Sequence, residues 1–163
     1  MRKQKGFSLI ELLIVVAIIL IIAAIAIPNL LRARMAANES SAVGSIRTIN
    51  TGEVTFQTTY PTTGFSPTLL ALGGAANAAC TPSVTTACLI DNVLSAGTKS
   101  GYTFIATGTG GPPAVSYIAA GTPVTVNQTG IRSFCSYEDA VVRVQPAGTA
   151  VATVAACQLL SSI

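Results

Sequence analysis

The sequence predicts an α+β protein, in which one long N-terminal helix packs on a small antiparallel sheet. Three observations carry this reading. Leu12 to Ile27 is an unbroken run of sixteen apolar residues. Helical spacing continues beyond it, with Met35, Ala42, Ile49 and Phe56 recurring every seven residues. The second half of the chain instead holds short strand-like runs separated by Gly- and Pro-rich turns.

Composition narrows the function classes. Only 9% of the 163 residues are charged, against about 25% in ordinary soluble domains. Mean hydropathy is +0.63, which argues against a wholly soluble protein and against a charged disordered chain. The absence of histidine removes the usual general base and the usual zinc ligand. The net charge of +3 is concentrated at one end, because Arg2, Lys3 and Lys5 lie in the first six residues. From Phe7 onward, six basic residues balance six acidic ones. No basic patch supports nucleic-acid binding, and neither a cofactor nor a metal is expected.

The first element is the apolar segment. From Phe7 to Ile27 it runs twenty-one residues, interrupted only by Ser8 and Glu11. At about 1.5 Å per residue such a helix spans a hydrocarbon core of roughly 30 Å. Three cations precede it, so the positive-inside rule places residues 1–6 in the cytoplasm. An ordinary secretory signal peptide would have a shorter apolar region ending in a small-residue cleavage site. Here the run is longer and leads through Pro28 into further helical pattern. Glu11 is the anomaly. A carboxylate within an apolar helix costs a few kcal/mol and asks for a partner. Nothing basic lies within a turn on its C-terminal side. Spacing alone equally allows Glu11 to sit at headgroup level.

The second element, residues 28–58, reads as an amphipathic continuation of the helix. Pro28 lacks a backbone donor and is expected to kink the helix without ending it. The apolar stripe includes Ile46, while Arg32, Arg34, Glu39, Arg47 and Glu53 fall largely off it. Gly44 and Gly52 weaken it locally. The helix is expected to stop near Thr58–Pro61, before the turn chemistry of Tyr60–Gly64. Residues 59–163 then form a globular head. Short helices are expected at Thr68–Leu72 and Leu89–Ser95. Strands are expected at Tyr102–Thr107, Ala114–Ala119, Val124–Asn127, Arg132–Tyr137 and Val141–Val144. Gly108–Pro113 and Gly121–Pro123 read as turns, and the strands as a meander.

The string Gly6-Phe7-Ser8-Leu9-Ile10-Glu11, after a short basic leader, closely resembles the class III signal of type IV prepilins. The match continues through Leu12–Ile18 and Ala23–Pro28. The resemblance implies that a membrane prepilin peptidase cuts after Gly6 and methylates the new terminus at Phe7. Residues 1–6 are then the leader peptide, 7–27 the assembly helix, and the long helix with its sheet a pilin fold. It further implies that Glu11 pairs with the N-terminus of a neighbouring subunit in a helical filament. Breaking such a buried pair costs on the order of 3–5 kcal/mol, and a head-to-tail contact that does not close builds a fibre. Implied partners are identical subunits, the peptidase/methyltransferase, the pilus assembly platform, and the bacterial inner membrane before assembly. The assembled pilus would be extracellular.

Cys80, Cys88, Cys135 and Cys157 all follow the apolar segment, on the side expected to be oxidising. Four cysteines allow three connectivities. Cys80–Cys88 would close a short loop, and Cys135–Cys157 would tie the C-terminal segment to the sheet. The second resembles the C-terminal disulfide loop of many type IV pilins. A metal site would need closer paired spacing or histidine. Gly108–Gly111 lacks the lysine and helix of a phosphate loop. Asn38-Glu39-Ser40 and Asn127-Gln128-Thr129 match the glycosylation sequon, a triplet frequent by chance.

These features point to a structural pilin subunit rather than an enzyme. The alternative within the superfamily is a major pseudopilin of type II secretion, which Tyr60-Pro61-Thr62-Thr63 and Leu69–Leu72 resemble too. Against it, no acidic residue follows Asp139, where that family carries calcium ligands. A membrane-anchored enzyme or binding module would need a constellation that the spacing of Ser, Lys99 and the few carboxylates does not show.

Overall fold

The computed structural model describes residues 7–74 and 80–163. They fall into two compact units, one ending at Arg34 and the other comprising Met35–Ile163. Helix α1 (Leu9–Thr59) contributes residues to both. Its Leu and Ala residues favour the helical state, and its many β-branched Ile and Val residues lower that propensity only slightly. It runs through Pro28 without interruption.

In the C-terminal unit, α2 (Leu69–Gly73) and α3 (Asn92–Ser95) follow α1. Each begins at a residue that supplies an oxygen to the helix's free amides. Thr68 accepts from the Ala71 N–H and Asp91 from the Leu94 N–H. The sheet then comprises β1 (Thr98–Lys99), β2 (Tyr102–Thr109), β3 (Ser116–Pro123), β4 (Ser133–Tyr137), β5 (Arg143–Gln145) and β6 (Ser161–Ser162), with α4 (Val154–Gln158) before β6. Strand order follows chain order and every pairing is antiparallel. The α+β meander expected from the sequence is therefore the observed architecture.

The main core lies between α1 and one sheet face. Ala42, Ile46, Ile49 and Phe56 of α1 meet Tyr102, Phe104, Tyr117 and Phe134 of the sheet, with Leu72 and Leu94 of the short helices. Each large side chain buried here contributes roughly 1.5–3 kcal/mol. The expected stripe thus faces the core, apart from Met35, which is only half-buried. A second, smaller core covers the opposite face. Ile118, Ala120 and Cys135 pack there against Val151 and Cys157 of the C-terminal segment. Because β3 is covered on both sides, nearly all of it is buried, and period-2 alternation cannot mark its extent.

Several local expectations are corrected. Gly121–Pro123 is not a turn but the end of β3. Gly121 pairs with Phe104, and a Cβ on Gly121 would stand 2.9 Å from the Phe104 ring. Only glycine lets that ring lie on the strand. Val124–Asn127 is not a strand, because Asn127 has a positive φ of 65° and Thr125 O accepts from the Gln128 and Thr129 amides. A turn therefore occupies the position. Glu39 and Glu53 do not join the solvated face with Arg32, Arg34 and Arg47. Both carboxylates are buried. Helix α4 and the short strands β1 and β6 carry too few residues to show a period.

Candidate assembly site

The apolar part of α1 buries almost nothing. Phe7 is 88% exposed, and the large apolar residues from Leu9 to Leu31 are all exposed. Within it an 18-residue window has mean hydropathy 3.3 and no buried residue. By length and composition this helix can cross a membrane. A contiguous apolar surface of this extent marks contact with lipid or with other protein.

At its start, Ser8 precedes the first helical residue, Leu9, and Glu11 is the third. The Ser8 N–H donates to Glu11 Oε2 at 3.0 Å. This is the glutamate half of a capping box, in which a carboxylate reaches back to the amide of the N-cap residue. The negative charge also lies at the positive end of the helix dipole. Among the described residues Glu11 forms no ion pair. The Ser-x-x-Glu spacing was present in the sequence as the signal for this contact. Gly6, the residue expected before the cleavage point, lies outside the described residues. Pro28 lies inside α1, where it leaves the carbonyl one turn back without its usual donor.

The C-terminal unit is fastened at sites that periodicity did not mark. Glu39 Oε1 accepts the backbone N–H groups of Ile131 (2.9 Å) and Arg132 (3.1 Å), while Oε2 accepts Arg132 Nε (3.0 Å) and Nη2 (2.7 Å). Burial opposes ionisation of this carboxyl. The Ile131 and Arg132 donors outweigh it and hold the pKa below the ordinary carboxylate value. Asn50 on α1 donates to Ser136 Oγ and accepts from the Tyr117 hydroxyl, joining α1 to β3 and β4. The structure joins Cys80 to Cys88 and Cys135 to Cys157. The first closes a loop around Ser83–Thr86, and the second links β4 to α4.

The two sequons stand apart in this geometry. Asn38 donates its side-chain amide to Thr129 O and is partly buried, whereas Asn127 is exposed in its turn. No group of three or more His, Cys, Asp or Glu side chains able to hold a metal occurs among the described residues.

Comparison with known proteins bears on the N-terminal region. Residues 1–27 match the family model described as the prokaryotic N-terminal methylation motif. Over 40 residues the chain is 68% identical to the type IV wide pilus major component PilA4 of Thermus thermophilus, covering 24% of this chain and 30% of that protein. Over 54 residues it is 44% identical to the type IV major pilin protein PilA of Myxococcus xanthus, covering 33% of this chain and 24% of that one. The matches therefore span less than a third of either relative. No solved structure matches the chain. The chain carries the prepilin methylation motif and, over these stretches, is homologous to type IV pilins.

Proposed function

We propose that this chain is a structural subunit of a type IV pilus filament, cleaved after Gly6, methylated on the Phe7 amine and polymerised through α1. The observation that carries the reading is the exposed apolar surface of α1, most of which lies within the methylation-motif match of residues 1–27. In a membrane that surface is solvated by lipid, and in a fibre by the same helices of neighbouring subunits. The precursor would sit in the inner membrane with residues 1–6 in the cytoplasm, and the assembled subunit would be extracellular. Both relatives carry pilus names, and neither name describes a catalyst.

In this reading the motif has a chemical logic. Cleavage before Phe7 creates an amine that stays cationic when methylated. Entering an apolar bundle, that cation needs an anion. Glu11 supplies it to a neighbour's terminus while its Oε2 continues to hold the Ser8 amide. The partners are then identical subunits, the peptidase/methyltransferase and the assembly platform.

The test is Glu11→Ala in the producing cell. Processing at Gly6 is expected to stay largely intact while fibre yield collapses. Normal fibre yield from this variant overturns the pairing. The alternative, a major pseudopilin of a type II secretion system, predicts the processed chain in the envelope and little in the sheared surface fraction.

A further inference from the structure

Glu53 has no role in the assembly reading. Its side chain is fully buried, as is that of Ser66. Glu53 Oε2 accepts the Ser66 backbone N–H at 2.8 Å, and Glu53 Oε1 lies 2.8 Å from Ser66 Oγ. The Ser66 hydroxyl also lies 3.2 Å from the carbonyl oxygen of Thr68. Thr68 is the residue that caps α2, and its carbonyl accepts the Ala71 amide. The Ser66 carbonyl in turn accepts the Gly108 N–H of β2 at 2.7 Å. Ser66 is thus the joint between α1, the α1–α2 segment and the sheet.

One hydroxyl hydrogen cannot serve two acceptors fully. With Glu53 ionised, that hydrogen must go to the carboxylate, and the Thr68 carbonyl loses it. With Glu53 protonated, the Glu53 Oε1 hydroxyl donates to Ser66 Oγ, and the Ser66 hydrogen turns to Thr68 O. The Thr68 carbonyl, which keeps the Ala71 amide in either state, then has a second donor, and no charge is buried. We infer that Glu53 and Ser66 form a proton-operated latch: a proton on Glu53 fastens the segment 60–68 and the cap of α2 to α1, and its loss loosens them.

The surroundings favour the protonated state. No Asp, Glu, Lys or Arg occurs from Val54 to Ile90, nor in β2, β3 or β4. The titratable side chains on these packed elements are tyrosines: Tyr60 after α1, Tyr102 on β2, Tyr117 on β3 and Tyr137 on β4. On α1 itself, Glu39 is committed to Arg132, and Arg47 is exposed. Glu53 has no cation partner among the described residues. Burial pushes its carboxyl up to about 7 despite the two Ser66 hydrogen bonds.

The experiment uses the full chain in detergent micelles, labelled with 13C at the glutamate carboxyls, and titrated from pH 4 to 9. The Glu53 signal is identified by its loss in Glu53→Gln. In parallel, amide exchange of residues 60–73 is followed at pH 5.5 and 8, corrected for intrinsic rate. The latch predicts a Glu53 titration far above the ordinary carboxylate range and a fall in protection of about tenfold or more at pH 8. Glu53→Gln keeps an amide donor toward Ser66 Oγ, so it is expected to hold the low-pH protection at both values. Titration of Glu53 near 4.5, unchanged protection in the wild type, or the same fall in Glu53→Gln overturns the latch. If that variant does not fold, signal assignment through the backbone and the wild-type measurements decide the question.

Discussion

Glu39 and Glu53 belong to one helix, and both are buried, yet their environments give them opposite pH signs. Glu39 has a pKa held below its ordinary value. Its stabilisation is present above the unfolded pKa and is lost as pH falls through the folded one. Glu53 has a pKa raised to about 7 from 4.5. Its favourable contribution is complete below the unfolded value and disappears as pH rises toward 7, on the order of 3 kcal/mol at about 1.4 kcal/mol per pH step. Asp91 and Asp139 follow Glu39, their pKa values lowered because ion-pair and amide donors outweigh burial. Thermal melts are therefore expected to show maximum stability in mildly acidic solution, with losses on both sides. A stability plateau from pH 5 to 8 would contradict the Glu53 account. Replacing Glu39 with Ala removes four hydrogen bonds, three of them to Arg132. Because Arg132 is half exposed, the expected cost is about 2 kcal/mol rather than the full penalty of a broken buried pair. The melting temperature reads it, and an unchanged value would mean that the clamp contributes nothing.

At the scale of elements, α1 shows which parts of the fold were legible. The stripe of Ala42, Ile46, Ile49 and Phe56 declared itself through its period, and these residues form the core. Glu39 and Glu53 did not, because a buried carboxylate counts as polar in any periodicity. Their partners, Ile131–Arg132 and Ser66, are set by tertiary contacts that no local window contains. The strands were legible where one face is wet, as in β2, and blurred where both faces are covered, as in β3. At the assembly site the apolar run was plain, while the Ser8–Glu11 cap was readable but masked by the anomaly of a carboxylate among apolar residues. The two glycines of the amphipathic half are not equivalent. A Cβ at Gly44 meets nothing within 4 Å, whereas one at Gly52 stands 3.2 Å from Ile90 Cγ2. Gly44→Ala is expected to stabilise the C-terminal unit by about 0.5–1 kcal/mol. Gly52→Leu is expected to destabilise it by about 1–3 kcal/mol through overpacking. Denaturant melts that rank the two alike would refute this packing. Replacing Cys135 and Cys157 together by serine removes the link from β4 to α4 and is expected to cost about 2–4 kcal/mol. Unchanged protease resistance of residues 146–163 would reject the bridge as a fastening.

The whole molecule combines two kinds of surface. One unit carries a helix whose apolar side chains have no covering of their own. The other carries its own core on both sides of a sheet. This division suits the proposed subunit, which would wait in a membrane and then exchange lipid for copies of itself. The most direct test is intact mass spectrometry of protein sheared from the cell surface, before and after reduction. The expectation is a chain that begins at Phe7, carries one added methyl group and gains the mass of four hydrogens when both disulfides are reduced. A surface chain that still begins at Met1 and lacks the methyl group would contradict it.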